Sequence, residues 1–318
     1  MAGTTGRAGA EPDDVRRGTL MGAAAYALWG SFPLYFSALA PAGSVEVLVH
    51  RVLWSLLLCA VLLAALRGLG DLRALLADRT RTGWLGLAAV TIAANWGVYI
   101  YGVQSGNVIE ASLGYFVNPL VTVLLGVLLL RERLRPAQWA AVGIGVVAVG
   151  VITVDYGRVP WIALVLALTF GSYGLAKNRV GRGTPALVSL TGETLLLAPF
   201  ALAALVVLEV AGDGTFTSAG PLHTALLVST GVATTVPLLL FGAAARRVPL
   251  TTIGLLQYLT PVLQLLCGVL LLGEEMPPTR WVGFALVWLA LVVLTTDTLR
   301  TARRRGALAR AAAASARG

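Results

Sequence analysis

Along the chain, apolar residues gather into ten runs separated by short breaks marked by polar residues, glycine or proline. The runs cover approximately residues 18–40, 44–66, 83–104, 108–130, 136–154, 159–177, 185–208, 221–243, 248–272 and 278–297. A helix rises 1.5 Å per residue, so about 20 apolar residues cross a hydrocarbon layer of ~30 Å. Each run therefore predicts a transmembrane helix. Lipid offers no partner to unpaired backbone, which favours helices, and the alternating segments of a membrane barrel are absent. The first run exceeds the length of a signal-peptide apolar core. Ala38-Leu39-Ala40 imitates a cleavage site, but Pro41 follows at once, so 18–40 is read as a retained first helix.

Cations mark the ends of the runs. With the N-terminus in the cytosol, the inward-facing stretches are the N-tail, 67–81, 131–135, 177–182, Arg246-Arg247 and the C-tail. They hold all 24 Lys and Arg residues except Arg51, Arg158 and Arg280. This asymmetry predicts ten spans with both termini cytosolic. Composition agrees: 12% of residues are charged and 57% hydrophobic, against about 25% charged in soluble domains. A soluble enzyme, a disulfide scaffold and a disordered chain are thereby excluded.

The net charge of +9 lies in loops without interleaved aromatics, so it reads as an orientation signal and predicts no nucleic-acid partner. The basic tail from Thr298 is expected to be irregular and drawn to anionic membrane lipid. Cys59 and Cys267 lie inside apolar runs, and no cysteine–histidine cluster exists, so neither metal, cofactor nor disulfide is expected. Phosphate-binding loops and the protease motifs of zinc or serine enzymes are missing, which argues against an enzyme.

The two halves share a pattern. Pro119, Leu128-Leu129-Leu130, Glu132, Pro136 and Trp139 match Pro261, Leu270-Leu271-Leu272, Glu274, Pro278 and Trp281 at one constant offset. Five spans per half is an odd number, so the second half enters the membrane upside down. The expected fold is an all-α integral membrane protein of ten transmembrane helices, built as two inverted five-helix repeats. Its parts are a cytosolic N-tail (1–17), a first repeat (18–155), a second repeat (156–297) and a basic cytosolic C-tail (298–318). Such repeats characterise transporters, with the binding site near the midplane.

Ionisable side chains cost about 2.5–3.5 kcal/mol each at the centre of a span, so Glu46, His50, Arg51, Glu110 and Glu193 need a reason. Glu46, His50 and Trp54 share one helix face, while Arg51 points about 100° away. These groups either hold the bundle or line an outward cavity; the pattern alone leaves both open. Glu110 and Glu193, then His50, are the candidates for carrying protons. Segment 4 reads Glu110-Ala111-Ser112-Leu113-Gly114-Tyr115-Phe116-Val117-Asn118-Pro119, with Glu110, Gly114 and Asn118 along one stripe. Pro119 is expected to break that helix and expose polar atoms at half depth. Segment 9 repeats the device with Gln257-Tyr258-Leu259-Thr260-Pro261, and segment 8 carries Pro237 after Thr234-Thr235-Val236. Trp29 and Asn95 lie at mid-depth, where an aromatic group serves packing or stacks on a flat substrate.

The stretches Ala25-Tyr26-Ala27-Leu28-Trp29-Gly30, His50-Arg51-Val52-Leu53-Trp54-Ser55, Asn95-Trp96, Thr234-Thr235-Val236-Pro237-Leu238, Gln257-Tyr258 and the segment 4 motif resemble the RarD branch of the EamA family, in the drug/metabolite transporter superfamily. The resemblance covers about residues 16–297. It implies a ten-helix permease of the bacterial cytoplasmic membrane, of a branch linked to chloramphenicol sensitivity. It also places Glu46, His50, Arg51, Asn95, Glu110, Tyr115, Asn118, Glu193 and Gln257 at matching positions, with Tyr258 beside them. Where the superfamily often closes segment 4 with Gly-Glu, this chain has Arg131-Glu132.

The expected function is secondary transport of a small organic metabolite or drug by alternating access, ion- or proton-coupled, with the direction open. A homodimer is also left open. From a different class, a membrane sensor or assembly factor would use the polar spans only to hold helices together.

Overall fold

A computed structural model of the protein describes residues 12–315 apart from 132 and 182. Residues 1–11 of the N-tail, Glu132 of the repeated motif, Arg182 and residues 316–318 lie outside the described residues. All regular structure among the described residues is helical. The elements are α1 (Pro12–Gly30), α2 (Phe32–Ser37), α3 (Ser44–Ala65), α4 (Leu69–Ala77), α5 (Arg79–Gln104), α6 (Val108–Leu130) and α7 (Pro136–Tyr156). They continue with α8 (Trp161–Val180), α9 (Ala186–Ala211), α10 (Pro221–Ala245), α11 (Leu250–Leu256), α12 (Leu259–Leu266), a π-helical turn at Cys267–Leu271 and α13 (Pro278–Ser315).

Eight stretches are long and apolar enough to cross a membrane: α3, α5, α6, α7, α9, α10, α13 and Thr252–Leu271. α1 and α8 have comparable lengths, 19 and 20 residues. The charged opening turns of α1 and the polar second half of α8 keep them out of that apolar class. Large apolar side chains stand on the surface, such as Val154 at 81%, Phe200 at 75% and Val210 at 84% exposed. Contiguous apolar exposure of this kind is unfavourable in water and ordinary in lipid. The protein is a multi-pass membrane protein.

The helices differ in how they respond to proline. The first run divides at Ser31 into α1 and α2, because Pro33 lacks the N–H that would bond the Trp29 carbonyl. The ninth run divides at Gln257-Tyr258, one turn before Pro261, where the proline ring meets the carbonyl of residue 257. Pro119 and Pro237, expected to break their helices, lie inside continuous helices α6 and α10. A transmembrane helix tolerates the one lost bond when its neighbours hold it in place.

The stretch after Thr298, expected to be irregular, continues α13 to Ser315. Its alanines and arginines are strong helix formers. Arg135 ties the start of that extension down through an ion pair to Asp297 (2.7 Å) and a hydrogen bond to Thr301. The loop at 67–81 also contains a short helix, α4, that the apolar pattern did not indicate.

The chain forms two compact units. One comprises the residues up to Ala89 together with Val180–Gln264; the other comprises Val90–Arg179 and the residues from Leu265 onward. In the first unit α3 packs on α9 and α10, and α10 packs on α1. Gly231 permits the α3–α10 crossing, since a Cβ there would lie 2.6 Å from the Trp54 backbone. In the second unit α7 runs along α13, and Gly114 lets α6 approach α8, where a Cβ would meet the Ala163 carbonyl at 2.7 Å. Close backbone approach at small residues is the usual packing device in membranes, where burial in lipid supplies no drive for helix association. Phe116, Phe284 and Trp288 fill the second unit with edge-on ring contacts.

Candidate functional site

In the first unit, the first two turns of α3 carry Glu46, His50 and Arg51, which are 1%, 4% and 4% exposed. The i, i+4 spacing lets the Trp54 Nε1–H donate to His50 Nδ1 at 3.2 Å. An indole nitrogen only donates, so Nδ1 is the accepting nitrogen and the neutral ring carries its proton on Nε2. That Nε2 is buried with no partner among the described residues. The His50 ring stacks on Phe216 at 4.6 Å.

Arg51 leaves α3 on another side. Its Nε–H donates to Thr234 Oγ1 (2.9 Å), and its guanidinium sits over Phe32 and Phe36 at 5.5 and 5.4 Å. A desolvated guanidinium is compatible with those aromatic faces through cation–π attraction. Glu46 accepts from Thr215, through the backbone N–H (2.6 Å) and the hydroxyl (2.9 Å), and the same hydroxyl lies 2.7 Å from His223 Nε2.

Elsewhere in this unit, Trp29 belongs to an aromatic group with Tyr26 (5.5 Å) and Phe241 (5.9 Å). α12 is suspended from α1 by two polar contacts: Thr260 Oγ1 donates to the Tyr26 carbonyl (2.9 Å), and Gln264 Nε2 donates to the Trp29 carbonyl (3.3 Å). The second contact occupies the carbonyl that Pro33 leaves free. Gln257 and Tyr258 are half-buried in the turn between α11 and α12. Glu193 on α9 is 1% exposed and accepts from the Ser189 hydroxyl at 2.9 Å.

In the second unit, Asn95 joins three helices. Its amide donates to the Leu166 carbonyl and to Thr169 Oγ1, both at 3.1 Å, and its oxygen accepts from the Tyr115 hydroxyl at 3.1 Å. The Tyr115 ring meets Tyr99 and Phe170 edge-on. Glu110 is fully buried; Arg158 Nη2 donates to it at 2.7 Å and the Ile162 N–H at 2.9 Å. That hydrogen bond holds the Arg158 guanidinium still further into its charged form. The expected stripe of Glu110, Gly114 and Asn118 is the face against which α8 packs, with Gly171 opposite the Asn118 amide oxygen.

The other loop cation, Arg280, pairs with Asp155 at 2.8 Å and lies 4.1 Å over the Tyr156 ring. Glu274 accepts from the Val108 and Ile109 N–H groups at 2.5 and 2.8 Å. A carboxylate there satisfies orphan donors of the α6 N-terminus and complements its dipole.

Sequence reasoning singled out the span residues but missed Thr215, Phe216 and His223, which complete the surroundings of Glu46 and His50. His223 is one of only two histidines in the chain. It stands in the opening turn of α10, where a polar residue carries no cost and hence no signal.

The chain matches the EamA-like transporter family twice, over residues 16–154 and 159–296. It is 51% identical over 301 residues to Protein RarD of Streptomyces exfoliatus, covering 95% of each chain. An uncharacterized transporter of Vibrio cholerae is 38% identical, with 91% of this chain and 95% of that one aligned. The chloramphenicol-sensitive protein RarD of Pseudomonas aeruginosa is 34% identical, with 91% and 97% aligned. A solved structure titled only as a crystal structure of protein superposes with a TM-score of 0.57 at 21% identity, over 89% of this chain and 98% of that one, which shows a shared fold. With two family matches that together span most of its length and with relatives of this similarity, the chain belongs to the EamA-like transporter family, in its RarD branch.

Proposed function

We propose that the protein is a secondary permease that carries a small organic metabolite or drug across the bacterial cytoplasmic membrane by alternating access, coupled to protons. In this reading α1–α2 and α8 join the eight apolar stretches as ten spans, arranged as two inverted repeats with both termini in the cytosol. The family membership supports the transporter class.

The observation that carries the repeat is a pairing found in both units. In the first, Gly30, which ends α1 just before Ser31, lies against Leu263 of α12; in the second, Gly171 of α8, just before Ser172, lies against Asn118, Thr122 and Leu125 of α6. Each pair joins one helix from either half of the chain, and each sets a Gly-Ser step against a proline-bearing helix. Two equivalent pairings support a reading by alternating access, which needs two interchangeable arrangements. A scaffold has no need of them.

Flux of a panel of small organic solutes into proteoliposomes, with and without a pH gradient, tests the reading. Gradient-dependent flux of at least one solute is expected. Glu193→Gln should abolish the gradient-driven component and leave exchange without a gradient. Binding without flux across the panel would overturn transport in favour of a sensor.

A further inference from the structure

Glu46 is 1% exposed, and a carboxylate in that position is costly unless hydrogen bonds replace its water. Thr215 supplies them from the α9–α10 loop, with its N–H on Oε1 and its hydroxyl on Oε2. A threonine hydroxyl has one hydrogen and two lone pairs. When that hydrogen points to Glu46, the contact with His223 Nε2 at 2.7 Å requires the imidazole to donate. The three groups thus form a directed chain: His223 N–H to Thr215 oxygen, Thr215 O–H to Glu46 carboxylate. The same heavy atoms support the reverse direction, with a protonated Glu46 donating to Thr215 and Thr215 donating to His223.

We propose that Glu46, Thr215 and His223 form a proton-binding site, in which a proton taken up by His223 passes through the Thr215 hydroxyl to Glu46. In the step the Nε2–H bond of a cationic His223 breaks and an O–H bond forms on Thr215. The original Thr215 O–H breaks as its hydrogen bonds to Glu46 Oε2. A charged pair becomes a neutral pair, and no proton is lost. Three other carboxylates are held by donors of a different kind. Glu110 and Asp155 are held by guanidinium groups, and Glu274 by backbone amides, donors whose hydrogens are not passed on.

The charged and titratable groups on α3 and the elements packed around it, besides Glu46, are His50, Arg51 and Cys59 on α3 itself, Glu193 and Glu209 on α9, Asp213 in the loop and His223 on α10. His50 has its Nδ1 engaged by Trp54, outside the chain of transfer. The site's part in driving transport rests on the permease reading above; the residence of the proton does not.

The test is infrared difference spectroscopy of the purified full chain in detergent across a pH titration, reading the carbonyl band of a protonated carboxyl group. The wild type should show a component of that band that Glu46→Gln lacks and Glu193→Gln keeps. Thr215→Val and His223→Gln should each move its midpoint by about one pH unit, the size of one lost hydrogen bond to a charged group. Thr215→Ser, which keeps the hydroxyl, should restore it. A merely structural contact would lower the thermal transition of all these variants without moving the midpoint. A titrating band identical in the wild type and Glu46→Gln, or midpoints unmoved in both Thr215→Val and His223→Gln, would overturn the proposal. Should Glu46→Gln not fold, the Val–Ser comparison at Thr215 decides alone. Failure of solute flux with the band intact would sink the permease reading and leave the site standing.

Discussion

At the scale of single residues, a carboxylate inside a low-dielectric span must find donors nearby, and Glu46 and Glu110 show two solutions. Glu110 takes a guanidinium and a backbone amide, and Glu46 takes a hydroxyl backed by an imidazole. Because Arg158 is partly exposed, Arg158→Ala should destabilise the fold by about 1–2 kcal/mol, less than the cost of breaking a fully buried pair. Thermal unfolding in detergent would read this as a lower transition, partly recovered in the double variant Glu110→Gln/Arg158→Ala. Gly231→Ala and Gly114→Ala would place a methyl group against backbone atoms. Each should cost about 1–3 kcal/mol, seen as loss of folded yield. The expense of charge in lipid made Glu46, His50, Arg51, Glu110 and Glu193 visible in the sequence. Their partners Thr215, His223 and Arg158 stand in loops or at helix ends, where polar residues are ordinary.

At the scale of the element, proline shows how far local chemistry reaches. Every proline removes a donor, yet α6 and α10 run on through Pro119 and Pro237 while the ninth run divides before Pro261. The lost bond is the same in each case, so the neighbours decide the outcome. Around α12 those neighbours are the Tyr26 and Trp29 carbonyls, which take hydrogen bonds from Thr260 and Gln264. Restoring the donor with Pro261→Ala should straighten α11 into α12. Spin labels at the exposed positions 255 and 266 would then lie farther apart by electron-spin distance measurement, whereas Pro119→Ala should change stability by less than about 1 kcal/mol. The tail after Thr298 carries the same lesson. Its polarity suggested an irregular segment, but its alanines extend α13 and Arg135 bonds to Thr301.

At the scale of the whole molecule, membrane class and family were legible because hydropathy and positive charge act as sums along the chain. The two loop cations that depart from the charge pattern, Arg158 and Arg280, are each paired with a carboxylate, Glu110 or Asp155. The proposed topology predicts a labelling result. With buried Cys59 and Cys267 as a quiet background, Ser218→Cys should react with an impermeant maleimide on intact cells, and Arg133→Cys only after permeabilisation. The reverse pattern would refute cytosolic termini.

From the sequence alone came the apolar lengths that make helices in lipid, the distribution of cations, the repeated Pro, Leu-Leu-Leu, Glu, Pro, Trp order and the family. All of these are read residue by residue along one dimension. Only the tertiary structure decided that each compact unit draws on both halves of the chain, which prolines end a helix, and that Thr215 and His223 complete the surroundings of Glu46. Those outcomes depend on groups far apart in sequence meeting within hydrogen-bond distance, and a local pattern carries no information about such a meeting.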